Sequence, residues 1–182
     1  MDEASWSASL RALFGEGMFA AVGARRHADW TLDAIDVMRL RTDDPRGRPR
    51  LIMAPDGRRY GTGPDNPFTA VTPAAYDSVF PVARKGAEQL LVSLTDDWFQ
   101  VDGIPDFAER ERELISHARG VLERFGRDAL YFTNVSAARD NPHADMFRRE
   151  ASYECFTEHV MDCGVIAVSP EEVGVFWGFT ID

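Results

Sequence analysis

Val173-Gly-Val-Phe-Trp-Gly-Phe-Thr-Ile181 runs nine residues without a charge and carries apolar side chains at both parities. A strand with one wet face alternates apolar with polar, whereas a strand covered on both faces reads as a nearly continuous apolar run. The stretch therefore predicts an interior strand. Gly174 and Gly178 share the parity of Phe176, which predicts a face where a helix or a ligand comes close to the backbone. Val173, Val175, Trp177, Phe179 and Ile181 line the other face. Just before it, Gly164-Val-Ile-Ala-Val168 reads as the antiparallel partner, turned through Ser169-Pro-Glu-Glu172.

Working back from this hairpin, Asn141-Pro142 can open a helix that runs from about 143 to 162, and Ala129-Leu-Tyr-Phe-Thr133 reads as a further strand. The clearest helix covers 107–125. Asp106 with Glu109 forms a capping pattern, Gly126 stands where a C-terminal glycine belongs, and Phe107, Leu114, Ile115, Ala118, Val121, Leu122 and Phe125 share one side. Thr72-Pro73 opens a helical segment that Pro81 breaks, and a second segment follows through Ala87, Leu90, Leu91 and Leu94. Residues 4–22 read as one or two short helices, interrupted by Gly15 and Gly17. Residues 32–61 read as a small β-meander, with a turn at Pro55-Asp-Gly57 and a polar loop from Thr42 to Arg50.

The order of these elements argues an α+β fold: one domain over residues 1–182, mainly an antiparallel sheet made of the N-terminal meander and the C-terminal hairpin, packed by several amphipathic helices. A chain of 182 residues suffices for one well-buried core. No run approaches the roughly 20 apolar residues of a membrane span. The acidic start Met1-Asp-Glu-Ala-Ser does not read as a secretory signal, and two cysteines fit a reducing compartment, so a cytoplasmic address is expected.

The charge is unevenly placed. Residues 1–60 hold ten arginines against nine acids, whereas residues 61–182 hold ten cationic residues against 21 acids, a net −11. Such a field disfavours nucleic acid and anionic membrane and assists association with a basic protein. On a helix over 143–162, Glu150, Glu154, Glu158 and Asp162 would form a row at successive i, i+4 spacings. Like charges so placed are unfavourable by roughly 0.2–0.5 kcal/mol a pair. Phe147, Ala151 and Met161 project among them, which gives the row apolar anchors suited to an interface. A solvated helix face, or pairing with distant arginines, is the competing structural reading.

Cys155-x3-His159-x3-Cys163 invites a thiol or zinc reading. On a continuous helix its two cysteine backbones would stand ~12 Å apart, too far for one tetrahedral metal or a disulfide. Only a pair can act: Cys155 with His159, or a metal site completed by His143, Asp145 or Glu158. Buried free cysteine is the plainer account. The Arg-rich run from Arg39 to Arg59 is interrupted by Asp43, Asp44 and Asp56 and lacks interleaved aromatic residues, so it reads as a solvated hairpin ahead of a phosphate or nucleic-acid site. Asp96-Asp-Trp-Phe99 with Asp102 groups carboxylates beside aromatics, as helix-end acids also do. No dinucleotide fingerprint, phosphate loop or nucleophile elbow is present, and no cofactor is expected.

The leading expectation is a non-enzymatic acidic domain that binds a basic protein, of the kind that inhibits a toxin as an immunity protein does. Its alternatives are a thiol- or metal-dependent enzyme using Cys155 and His159, and an adaptor with an apolar ligand pocket.

Overall fold

The computed structural model describes residues 3–14, 18–48, 50–52, 61–148, 152–157 and 161–180. Its elements are α1 (Glu3–Leu13), β1 (Met18–Ala24), α2 (Trp30–Met38), β2 (Leu51–Ile52), β3 (Phe80–Val82), α3 (Arg84–Ser93), α4 (Phe107–Glu123), β4 (Leu130–Thr133), α5 (Ser136–Asp140), β5 (Asp162–Val168) and β6 (Glu172–Phe179). Short 3-10 turns cover Pro73–Ser78 and Val101–Gly103.

Six strands form one antiparallel sheet in the order β2-β1-β6-β5-β4-β3. The uncharged stretch is indeed interior: β6 pairs with β5 on one side and with β1 on the other, and every one of its residues is buried. The hairpin turns where expected, with Val168 opposite Val173. The Ser169 amide donates to the Glu172 carbonyl at 2.9 Å, and its hydroxyl accepts the Glu172 amide at 2.9 Å. Pro81 sits in the edge strand β3, where its missing N–H breaks no ladder.

Strand parity sorts the core into two halves. Met18, Ala20, Val22, Cys163, Val165, Ala167 and Phe176 face α1, α3 and α4, while Phe19, Ala21, Ile166, Val173, Val175, Trp177 and Phe179 face α2 and the segment around Phe68 and Tyr76. The sheet is thus covered on both faces, and this is why β6 has no polar parity. On the glycine parity the close neighbours are protein rings: a Cβ on Gly174 would meet Phe125, and one on Gly178 would fall 2.6 Å from Phe99.

The α+β architecture agrees with the sequence reading, with three local departures. Residues 32–40 are not part of a meander: Trp30–Met38 is a helix, opened by Asp29, whose carboxylate accepts the Thr31 amide at 3.0 Å. Ala34, Ile35, Val37 and Met38 are buried there, the helical set, of which Ile35 and Val37 alone also fit the alternation of a strand. Residues 4–22 hold one helix and then a strand, because 18–24 complete the ladder of β6. The region expected to form one helix from 143 to 162 is irregular through its described parts and enters β5 at Asp162. The Pro55-Asp-Gly57 turn lies outside the described residues. The 107–125 helix is confirmed as α4, with Gly126 at a φ of +83°, although Asp106 takes a φ of +54° and caps through its carbonyl, not its side chain.

Candidate functional site

Asp162 decides the fate of the proposed acidic ridge. It is fully buried in β5, and its carboxylate accepts the amides of Phe156 (3.0 Å) and Thr157 (2.7 Å), the Thr157 hydroxyl (2.6 Å), Asn134 Nδ2 (3.1 Å) and Trp177 Nε1 (3.1 Å). A carboxylate so satisfied belongs to the interior. Asn134, also buried, continues the network: its Nδ2 donates to the carbonyls of Glu154 and Asp162 at 3.1 and 2.9 Å, and its Oδ1 accepts the Gly164 amide at 3.1 Å. Residues 152–157 are therefore laid alongside Asn134–Ser136, with a bridge between Val135 and Tyr153. These bonds take the backbone groups that a helix would have used.

The other members of the ridge are dispersed. Glu154 is half-buried and ion-paired with Arg139, whose guanidinium lies over the Phe80 ring at 4.6 Å. Phe147 is half-buried, edge-on to Phe107 at 5.1 Å, and both Phe147 and Met161 pack against the helix-covered core. Glu150 and Glu158 lie outside the described residues. The described members do not form a row of exposed carboxylates: Glu154 lies in an irregular segment and Asp162 in a strand, so the like-charge repulsion expected on a helix face does not arise between these two.

Of the thiol reading, Cys155 is exposed and Cys163 is buried in β5 opposite Gly178; His159 and Glu158 are outside the described residues. His143 is exposed, and Asp145 accepts Gln89 Nε2 at 2.8 Å and the Phe147 amide at 3.1 Å. Among the described residues no group of three His, Cys, Asp or Glu is placed to hold a metal ion. No described helix is long and apolar enough to cross a membrane.

Two charged clusters escaped the sequence reading. In the first, Arg124 at the end of α4 is fully buried and grips Asp44 with both terminal nitrogens at 2.7 and 2.8 Å, while Glu172 accepts from its Nε and Nη2 at 3.0 and 2.9 Å. Arg46 adds a 2.9 Å contact to Glu172, and the guanidiniums of Arg124 and Arg48 lie 4.9 and 5.3 Å from the Trp6 ring. Burial pushes the Asp44 carboxyl up, but hydrogen bonds from Arg124 and the Arg46 amide outweigh it and hold the group below the usual carboxylate range. Burial likewise pulls Arg124 down, and its bonds to Glu172 and Asp44 reverse that. In the second, buried Asp33 accepts Arg25 Nε at 3.1 Å, the Arg26 and His27 amides at 3.0 and 3.3 Å, and His27 Nδ1 at 2.7 Å. A histidine oriented by a buried carboxylate can take a proton, yet among the described residues no hydroxyl or thiol is bonded to His27. Both clusters fasten loops to the sheet. Their signal is three-dimensional: 80 residues separate Arg124 from Asp44.

What the surface displays is acid. Of the described residues in 61–182, thirteen acids are exposed against six cations. They are densest from Asp96 to Glu113, a stretch of seven acids and two arginines that also carries Trp98, 66% exposed. Phe99, buried at a φ of +59°, turns inward beside it, and the Asp96 carboxylate accepts the amides of Trp98 and Gln100 at 3.0 and 3.1 Å. Comparison with protein-family models, curated proteins and solved structures gives no match, so the function is argued from these groups alone.

Proposed function

We propose that this protein is a non-enzymatic acidic binding domain for a basic partner protein, a toxin or effector that it inhibits in the manner of an immunity protein. The observation that carries the reading is the exposed acid excess of residues 61–182, thirteen acids to six cations among the described residues. Charge of one sign on one partner speeds encounter with the opposite sign on the other and rejects like-charged competitors. Exposed Trp98, in a stretch with exposed Asp97 and Asp102, supports the reading, since aromatic side chains among polar groups serve as interface anchors.

The test is capture of a tagged protein from its own cells at low salt, followed by elution at high salt and charge reversal on the identified pair. A stoichiometric basic protein should leave at high salt, and Asp97→Arg with Glu109→Arg should slow association by about tenfold while leaving thermal unfolding unchanged. An association rate indifferent to both salt and charge reversal would defeat the proposal.

A further inference from the structure

Arg39, just past the end of α2, is half-buried. In a chain of 30 acids and 20 Lys and Arg, it makes no ion pair with any described residue. Its Nη2 donates to the carbonyls of Thr69 (3.0 Å) and Val71 (2.7 Å), which fixes the guanidinium, while its Nε is buried and has no hydrogen-bond partner among the described residues. Buried donors are nearly always satisfied, so the unmatched one here marks a guanidinium whose charge no described carboxylate balances.

The end of α2 does not supply that acceptor. Its last carbonyls are already taken: Ile35 by the Arg39 amide (2.9 Å), Asp36 by the Arg41 amide (2.8 Å), Val37 by the Leu40 amide (3.0 Å) and Met38 by Asn66 Nδ2 (3.1 Å). Neither arginine side chain is needed to cap the helix. Both instead line a cavity of about 110 Å³ together with Thr62, Asn66 and Thr69. None of these described lining residues is a carboxylate. Arg41 approaches Asp36 only to 4.0 Å, with its side chain 59% exposed, and stays available to turn inward. The volume is several times the roughly 10–15 Å³ that one water requires.

We propose that this cavity binds a phosphoryl oxyanion, either inorganic phosphate or the phosphate group of a small monoester. A tetrahedral dianion offers acceptor oxygens to the Arg39 and Arg41 guanidiniums and to the Thr62 hydroxyl, and planar guanidinium forks suit phosphate geometry. Asn66 and Thr69 form the floor: Asn66 spends its amide on the Met38 and Gly61 carbonyls, and the Thr69 hydroxyl donates to the Asn66 carbonyl at 2.7 Å. The two arginines come from the third of the chain whose net charge is +1, and the threonines and Asn66 from the segment that follows it.

The experiment is calorimetric titration of the full chain with sodium phosphate at fixed ionic strength, with glycerol 3-phosphate and acetate as parallel probes. Saturable one-to-one binding of phosphate is expected, with acetate weaker by tenfold or more. Arg39→Gln should weaken phosphate at least tenfold and Arg41→Gln several-fold, while Arg127→Gln, an exposed change elsewhere, should have no effect. A monoester that binds more tightly than free phosphate identifies a small metabolite as the source; equal affinities identify phosphate itself. Should Arg39→Gln unfold, the exposed Arg41→Gln decides the matter. Absence of saturation by about 10 mM phosphate, equal binding of acetate, or wild-type affinity in the folded variants would each overturn the assignment.

Discussion

At Asp162 one carboxylate organises two segments, because it accepts from the backbone of residues 156 and 157, from Asn134 and from the Trp177 indole. Asp162→Asn keeps the shape but turns an NH2 group against N–H donors on whichever side it points. The expected loss is about 3 kcal/mol, the scale of leaving buried donors unmatched by a charged acceptor. Urea unfolding would show it as a lower midpoint at unchanged slope. A loss under about 1 kcal/mol would mean that the 152–157 segment contributes little to holding the native sheet. Nothing local distinguishes this acid in the sequence. Its spacing from Glu158 and Glu154 imitates a helix face, and its pairing with Phe179 of β6 shows that it starts a strand.

Elements were legible where their pattern was long and their environment uniform. β6 declared itself because burial on both faces removed every polar residue after Glu172, and α4 because seventeen residues carried a sustained apolar side ended by Gly126. α2 was hidden because nine residues give only about two and a half turns, too few to separate a helix from a strand when Ile35 and Val37 also alternate. The glycine parity of β6 was read correctly as a place of close approach, and the approaching group is Phe125. Gly174→Ala should therefore overpack the layer between β6 and the end of α4 and destabilise by about 2 kcal/mol. Adding Phe125→Leu should return part of that loss, with a coupling of about 1 kcal/mol in a double-mutant cycle. Strict additivity of the two changes would show that the ring is not what excludes the methyl group.

Across the whole molecule, Arg124 joins parts that no local pattern connects: α1 through Trp6, the loop at Asp44 to Arg48, the end of α4, and the first residue of β6. The acids of the surface and the acids of this knot have different consequences, since exposed charges are screened by salt while a buried pair is not. Removing one partner leaves a buried guanidinium short of charge, so Asp44→Asn should lower stability by about 3 kcal/mol at neutral pH. The pH dependence follows from the sign of the shift. Asp44 sits below the usual carboxylate range when folded, so its stabilisation is present above the unfolded value of about 3.9 and is lost as pH falls through the folded one. The wild type should accordingly lose stability faster than Asp44→Asn below about pH 4, and the gap between them should narrow as Asp44 is protonated. Chemical unfolding from pH 7 down to about 2.5 measures that gap directly. A gap constant across the range would place the effect of the substitution in packing and remove the ion pair from the account.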